Sequence, residues 1–135
     1  MKVLVADGDS IFRRLLKKFV EAENSGDTLW EAEDGEQAIM LAREIRPDLV
    51  LMDIALPRVS GFEAAHVIKE EHPEARVVIL SMLDRGAYRR AARSFGADTF
   101  VAKADCRSFL RQFRRYWSKS PPARKPAPAT GQMER

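Results

Sequence analysis

At 135 residues, with 45% hydrophobic and 32% charged residues, the chain suits one globular domain with a single sizeable core. No apolar run approaches the roughly 20 residues of a membrane helix, and the amino terminus lacks the basic-then-apolar plan of a secretory leader, so a cytoplasmic location is expected. The net charge of +3 hides a division: residues 1–84 carry ten Lys/Arg against seventeen Asp/Glu, residues 85–118 nine against two, and the last seventeen residues four against one. A basic region of this kind attracts acidic partners.

In chain order, "KVLVA" (2–6) is a short, β-branched apolar run of the sort that forms a strand buried on both faces. A helix over 10–23 follows, with Ser10 as its expected cap and Phe12, Leu15, Leu16, Phe19 and Val20 as one core-facing stripe. "TLWEA" (28–32) reads as a strand nearer an edge, and 36–46 as a helix stopped by Pro47. "LVLM" (49–52) is a second buried strand, and 61–71 a helix capped by Ser60. "VVIL" (77–80) is a third, 85–95 a helix ended by Gly96 in a left-handed conformation. "TFVAK" (99–103) is an edge strand before a helix over 107–117. Cys106 lies between them and, as the one cysteine, forms no internal disulfide. His66 and His72, on or after the third helix, have no metal-ligand pattern around them. The tail "SPPARKPAPATGQMER" has little to bury and reads as a disordered, basic Pro/Ala-rich arm or linker. The expected division is a domain over 1–118 and a tail over 119–135.

Five alternating β-α units imply right-handed crossovers, a doubly wound parallel sheet, and ligand binding at the carboxyl ends of the strands. Asp7 follows the first strand, Asp53 the third and Ser81 the fourth, while Lys103 closes the fifth. All four therefore fall on one rim. Two carboxylates, a hydroxyl and an ammonium suit a divalent cation together with a phosphoryl group.

The elements "VADGDSIFRRLL", "AEDGEQAI", "PDLVLMDIALPRVSGFE", "VVILSM" and "GADTFVAK", taken in order, resemble the receiver domain of two-component response regulators over residues 2 to about 117. The resemblance implies a flavodoxin-like α/β fold with strand order 2-1-3-4-5 and five helices. It implies Asp53 as phosphoacceptor, served by a sensor histidine kinase, a phosphotransfer protein or a small phosphodonor. Mg²⁺ would be held by Asp7, Asp53 and the backbone carbonyl of Ala55, with Lys103 and Ser81 contacting the phosphoryl oxygens. Phe100 would be an aromatic switch that alters the face formed by the fourth helix, fifth strand and fifth helix, where a downstream protein or a second copy binds.

Three positions depart from the pattern. Gly8 stands where the family has a second metal-binding acid; Asp9 is then read as loop, and is retained as an alternative ligand because glycine permits an unusual backbone turn. Ala104 replaces a proline after the lysine, leaving that loop trans or strained. Met82 replaces a small residue and would narrow the site. Ala55 and Leu83, two residues beyond Asp53 and Ser81, cannot orient an attacking water, so slow loss of a phosphoryl group is expected.

The set Arg89, Arg90, Arg93, Arg107, Arg111, Arg114 and Arg115 reads as a solvated helical face or a docking surface for an acidic protein, with direct nucleic-acid binding the least supported. Arg58 and Arg85 flank the rim and could draw phosphodonors to it. Two readings compete with the phosphoacceptor: a pseudo-receiver that binds partners without phosphate, and the receiver part of a longer DNA-binding regulator. An enzyme in the usual sense is the least expected, since accepting its own phosphoryl group is self-modification.

Overall fold

The computed structural model describes residues 1–22 and 26–119. Strands β1 (Lys2–Ala6), β2 (Thr28–Ala32), β3 (Leu49–Asp53), β4 (Arg76–Ser81) and β5 (Thr99–Ala102) alternate with helices α1 (Ser10–Ala22), α2 (Gly35–Ile45), α3 (Gly61–Glu71), α4 (Gly86–Ser94) and α5 (Cys106–Lys119). All pairings are parallel, in the order β2-β1-β3-β4-β5, which is the flavodoxin-like arrangement expected. The tail from residue 120 onward lies outside the described residues, as does the expected end of the first helix at Glu23.

Because successive strand side chains point to opposite faces, the sheet sorts its residues into two cores. Leu4, Val50, Met52, Val77, Ile79 and Phe100 pack with α2, α3 and α4, through Ala38, Ala42, Ala64, Ala65, Ile68 and Ala92. Val3, Val5, Leu49, Leu51, Val78 and Leu80 pack with α1 and α5, through Leu16, Val20, Cys106 and Leu110. Thus α1 and α5 cover one face and α2 to α4 the other. The helices against the first face supply mainly alanine, so those three can approach the sheet closely.

Boundary chemistry explains the ends. Ser60 caps α3, its Oγ accepting from the Glu63 amide at 3.2 Å, and Asp34 caps α2 through the Gln37 amide at 2.8 Å, which starts that helix one residue before the expected Glu36. Arg46 takes the left-handed conformation ahead of Pro47, and Gly96 (φ 90°) does so after α4.

Two expectations need correction. Asp9, not Ser10, caps α1: its Oδ1 accepts from the amides of Ile11 at 2.9 Å and Phe12 at 3.3 Å. Leu15 is not core. It is 61% exposed beside Ile11 at 64%, because Arg13, Leu16 and Val20 occupy the inward face and Leu15 lies about 100° around the helix from Leu16. The arginines of α4 and α5 flank the edge strand β5 from its two sides and have different partners. Arg107 and Arg111 stack over Phe19 of α1 and Arg114 pairs with Asp27, whereas Arg89 pairs with Asp84 and lies over Phe100.

Candidate functional site

Strand register alone brings the four rim residues to one end of the sheet. Ala6 pairs with Met52, so Asp7 and Asp53 leave neighbouring strands at the same level; Asp53 pairs with Leu80 and Ser81 with Ala102, which places Ser81 and Lys103 one step beyond. All are largely buried, Asp7 to 1%, Ser81 to 3% and Asp53 to 7% exposure. Lys103 opens a 3-10 turn (Lys103–Asp105) between β5 and α5, and no described peptide bond is cis.

Lys103 joins the two acids. Its Nζ lies 2.7 Å from Asp7 Oδ2 and 3.3 Å from Asp53 Oδ2. Asp7 Oδ1 accepts from the Asp9 amide at 2.8 Å, and Asp53 Oδ1 from the Ala55 amide at 3.2 Å. Burial raises the pKa of Asp53 above the ordinary carboxylate value and the nearby Asp7 adds to this, against the opposing pull of Lys103 and the Ala55 amide. Burial alone would lower the pKa of Lys103, but the two carboxylates outweigh it and raise the net value. With two acids facing one ammonium, the cluster carries an excess negative charge.

Some of the supporting residues were not singled out by their types. The Arg13 guanidinium donates to the backbone carbonyl of Asp7 and to Glu31 at 2.9 Å, which fixes the turn after β1. The ring of Phe12 lies 4.9 Å from Lys103 Nζ, a cation-π contact that steadies the ammonium. Gly61 lets the start of α3 pass against the Asp53 backbone: a Cβ there would meet the Asp53 carbonyl oxygen at 2.0 Å. The glycine in "SGFE" was visible; the contact that requires it was not.

The remaining candidates are placed as follows. Ser81 Oγ accepts from the Leu83 amide at 3.1 Å. Asp9 is exposed, its Oδ1 engaged as the α1 cap. Phe100 is 7% exposed, packed inward between the sheet and α4 beneath Arg89. Met82 does not narrow the site, being 78% exposed. Arg58, at φ 70°, turns to Asp34 at 3.5 Å and Glu36 at 3.8 Å. His66 and His72 stay apart from the rim: His66 reaches the Phe95 carbonyl and His72 is buried at the end of α3.

The donor set fits a hard cation in one respect and lacks a part in another. Asp7 Oδ2 is buried and makes no hydrogen bond of good geometry, despite its close approach to Lys103, and oxygen donors of this type suit Mg²⁺. No group of three His, Cys, Asp or Glu that could hold a metal occurs among the described residues. At Gly8, the position where the family pattern would place a further acid, an added Cβ would meet nothing within 4 Å. The place for a third acid is open.

The parallel order 2-1-3-4-5 and an acid pair bridged by lysine at its carboxyl rim define a flavodoxin-like α/β domain. Residues 3–112 match the response regulator receiver domain family, and the chain belongs to that family. It is 30% identical over 103 residues to the transcriptional regulatory protein DegU of Brevibacillus brevis, covering 76% of this chain and 44% of that protein. It thus spans less than half of that relative. Among solved structures, it resembles a LuxR-family two-component response regulator from Aurantimonas sp. SI85-9A1 (TM-score 0.76, 29% identity, 87% and 85% of the two chains covered). It also resembles a chain of the CheX-CheY-BeF₃-Mg²⁺ complex of Borrelia burgdorferi (TM-score 0.74, 26% identity, 88% of each chain). No helix among the described residues is long and apolar enough to cross a membrane.

Proposed function

We propose that the chain is a cytoplasmic phosphoacceptor in two-component signalling, with Asp53 receiving a phosphoryl group from a sensor histidine kinase, a phosphotransfer protein or a small phosphodonor. The observation that carries this reading is the bridging of Asp7 and Asp53 by Lys103 at the sheet rim. An Asp53 oxygen attacks phosphorus, the bond from phosphorus to the donor breaks, and an acyl phosphate remains. Lys103 passes from the carboxylates to the phosphoryl oxygens, and the Ser81 hydroxyl donates to another. Asp7, Asp53 and the Ala55 carbonyl would hold Mg²⁺, with Asp9 as an alternative ligand. The cation would neutralise charge on the transferring oxygens.

The phosphoryl group adds roughly −1.5 to −2 charge. Two new hydrogen bonds to charged oxygens, each about 1.5–3 kcal/mol, supply about 3–6 kcal/mol before ordering costs. Inverting a 1:99 population takes about 5.5 kcal/mol. The switch is therefore feasible with little margin, and Phe100, packed beside α4, is the residue through which it reaches the α4-β5-α5 face and a downstream protein partner. Direct contact with nucleic acid is not part of this reading. With Ala55 and Leu83 at the water-orienting positions, the acyl phosphate decays slowly.

A pseudo-receiver is the competing reading, favoured by Gly8. A third, a receiver cut from a longer DNA-binding regulator, is favoured by the 44% coverage of DegU. Incubation with a small phosphodonor, with and without Mg²⁺, separates the first two by intact mass. One added phosphoryl group that requires both the metal and Asp53, and is absent from Asp53→Asn, supports the phosphoacceptor; no uptake under any condition supports the pseudo-receiver.

A further inference from the structure

The sheet separates charge as well as apolar residues. On one side α1 and α5 carry nine Lys/Arg against a single Glu, whereas α2 and α3 on the other carry five Glu against two Lys/Arg. The basic side holds a groove of about 290 Å³ between α1 and α5, floored by Phe19, Val20 and Leu110 and rimmed by Arg111, Arg114 and Arg115. Its acidic residue, Asp27, is already held by the Met1 ammonium at 2.6 Å and Arg114 at 2.7 Å. Among the described residues no carboxylate lies within ion-pair distance of Arg107, Arg111 or Arg115.

The acidic side offers a matching relief. Glu36, Met40 and Glu44 follow one another at intervals of four along α2, all exposed, with Met40 at 60%; Glu33 and Asp34 extend the same surface, and Arg58, exposed and 3.8 Å from Glu36, is the one cation lining it among the described residues, which an arginine of the partner copy would displace. Arg107, Arg111 and Arg115 follow the same interval along α5. Each stripe therefore spans about 12 Å, at 1.5 Å rise per residue, so two laid side by side can set charge against charge along their length.

We propose that the arginine-lined groove between α1 and α5 docks α2 of a second copy of this chain, Met40 entering over the apolar floor and Glu36 and Glu44 meeting the arginine stripe. Other occupants fit less well. The chain's own tail carries four Lys/Arg against one Glu and is repelled. Nucleic acid makes no use of an apolar floor. Two basic faces meeting each other would set like charges together. Because groove and stripe lie on opposite sides of the sheet, the contact is heterologous and builds head-to-tail chains rather than a two-fold dimer. It uses no residue of the rim, so it stands or falls separately from phosphorylation.

Sedimentation velocity on the full chain, over about 10 to 300 µM, tests this at about 20 mM and about 0.3 M salt, where screening lengths differ several-fold. At low salt the average mass rises with concentration beyond twice the 15.3 kDa monomer, and at high salt it returns to the monomer. The double reversals Arg111→Glu/Arg115→Glu and Glu36→Lys/Glu44→Lys are each monomeric at low salt while keeping the native circular dichroism, and an equimolar mixture of the two regains association. A monomer at every concentration in low salt overturns the proposal. So does association that survives either reversal, or binding of an RNA oligomer or acidic peptide to the groove without self-association.

Discussion

Restoring the missing acid is the most informative single change to the rim. In Gly8→Asp the new Cβ meets no heavy atom within 4 Å, and Gly8 is not in the left-handed region, so the side chain enters without backbone strain. On the proposed site it would stand beside Asp7 and Asp53, which already share one ammonium. Without metal, a third carboxylate is repelled by the other two. Two unit charges about 4 Å apart at an effective dielectric of about 20 interact by about 4 kcal/mol, and the exposure of residue 8 screens this to about 1 kcal/mol. With Mg²⁺ the same group becomes a ligand. Taking its contribution as that of a strong charge-assisted contact, about 1.5–3 kcal/mol, affinity rises about 10- to 100-fold. Calorimetric titration with Mg²⁺, paired with thermal unfolding at zero and saturating metal, reads both effects. The variant should melt lower than the native chain without Mg²⁺ and gain more from its addition. Equal Mg²⁺ affinity in the two proteins would show that residue 8 does not face the cation, and the assignment of Asp7 and Asp53 as its ligands would fail with it.

Other perturbations follow from contacts elsewhere. Gly61→Ala drives a methyl to 2.0 Å from the Asp53 carbonyl oxygen; denaturant titration should show a loss of about 3 kcal/mol or more, whereas Gly8→Ala, with open space, should change stability by under about 1 kcal/mol. His72 is buried with neither ring nitrogen hydrogen-bonded. Burial lowers its pKa below 6.5, helped by Arg46 and Arg43 and opposed by Glu74 and Glu71. A depressed folded-state value means the unfolded chain binds the proton first, so this contribution is fully present above pH 6.5 and is lost as pH falls from there through the folded value. Urea midpoints measured between about pH 7.5 and 5 should fall for the native chain and fall less for His72→Leu. Burial also pushes the Cys106 thiol up to about 12, so a thiol reagent at neutral pH should label it only in denaturant; rapid labelling of the folded protein would contradict its place in the α5 core.

Much of this was legible in the residues. "TLWEA" and "SGFEAAHVIKEE" appear as strand and helix with the expected limits, because a short segment led by Thr, Leu and Trp and a serine cap both act locally. The rim residues were legible too, since parallel topology alone sends strand ends to one side. What escaped depends on partners far along the chain. Phe12 and Lys103 are separated by 91 positions, and neither residue type signals the other. Leu15 was drawn into the core because five apolar residues in α1 form a stripe wider than the sheet can bury. The arginines of α4 and α5 were legible as a basic set, but not that Arg107 and Arg111 lie over Phe19 and that Arg89 lies over Phe100.

Phosphoacceptance at Asp53 is tested by nuclear magnetic resonance of the labelled protein during titration with beryllofluoride, a stable stand-in for the phosphoryl group, and Mg²⁺. Saturable shifts are expected at Asp7, Gly8, Asp53, Ser81 and Lys103 that require both additions, spread to Phe100 and α4, and vanish in Asp53→Asn. Shifts that ignore Asp53, or a spectrum that does not respond, would contradict it.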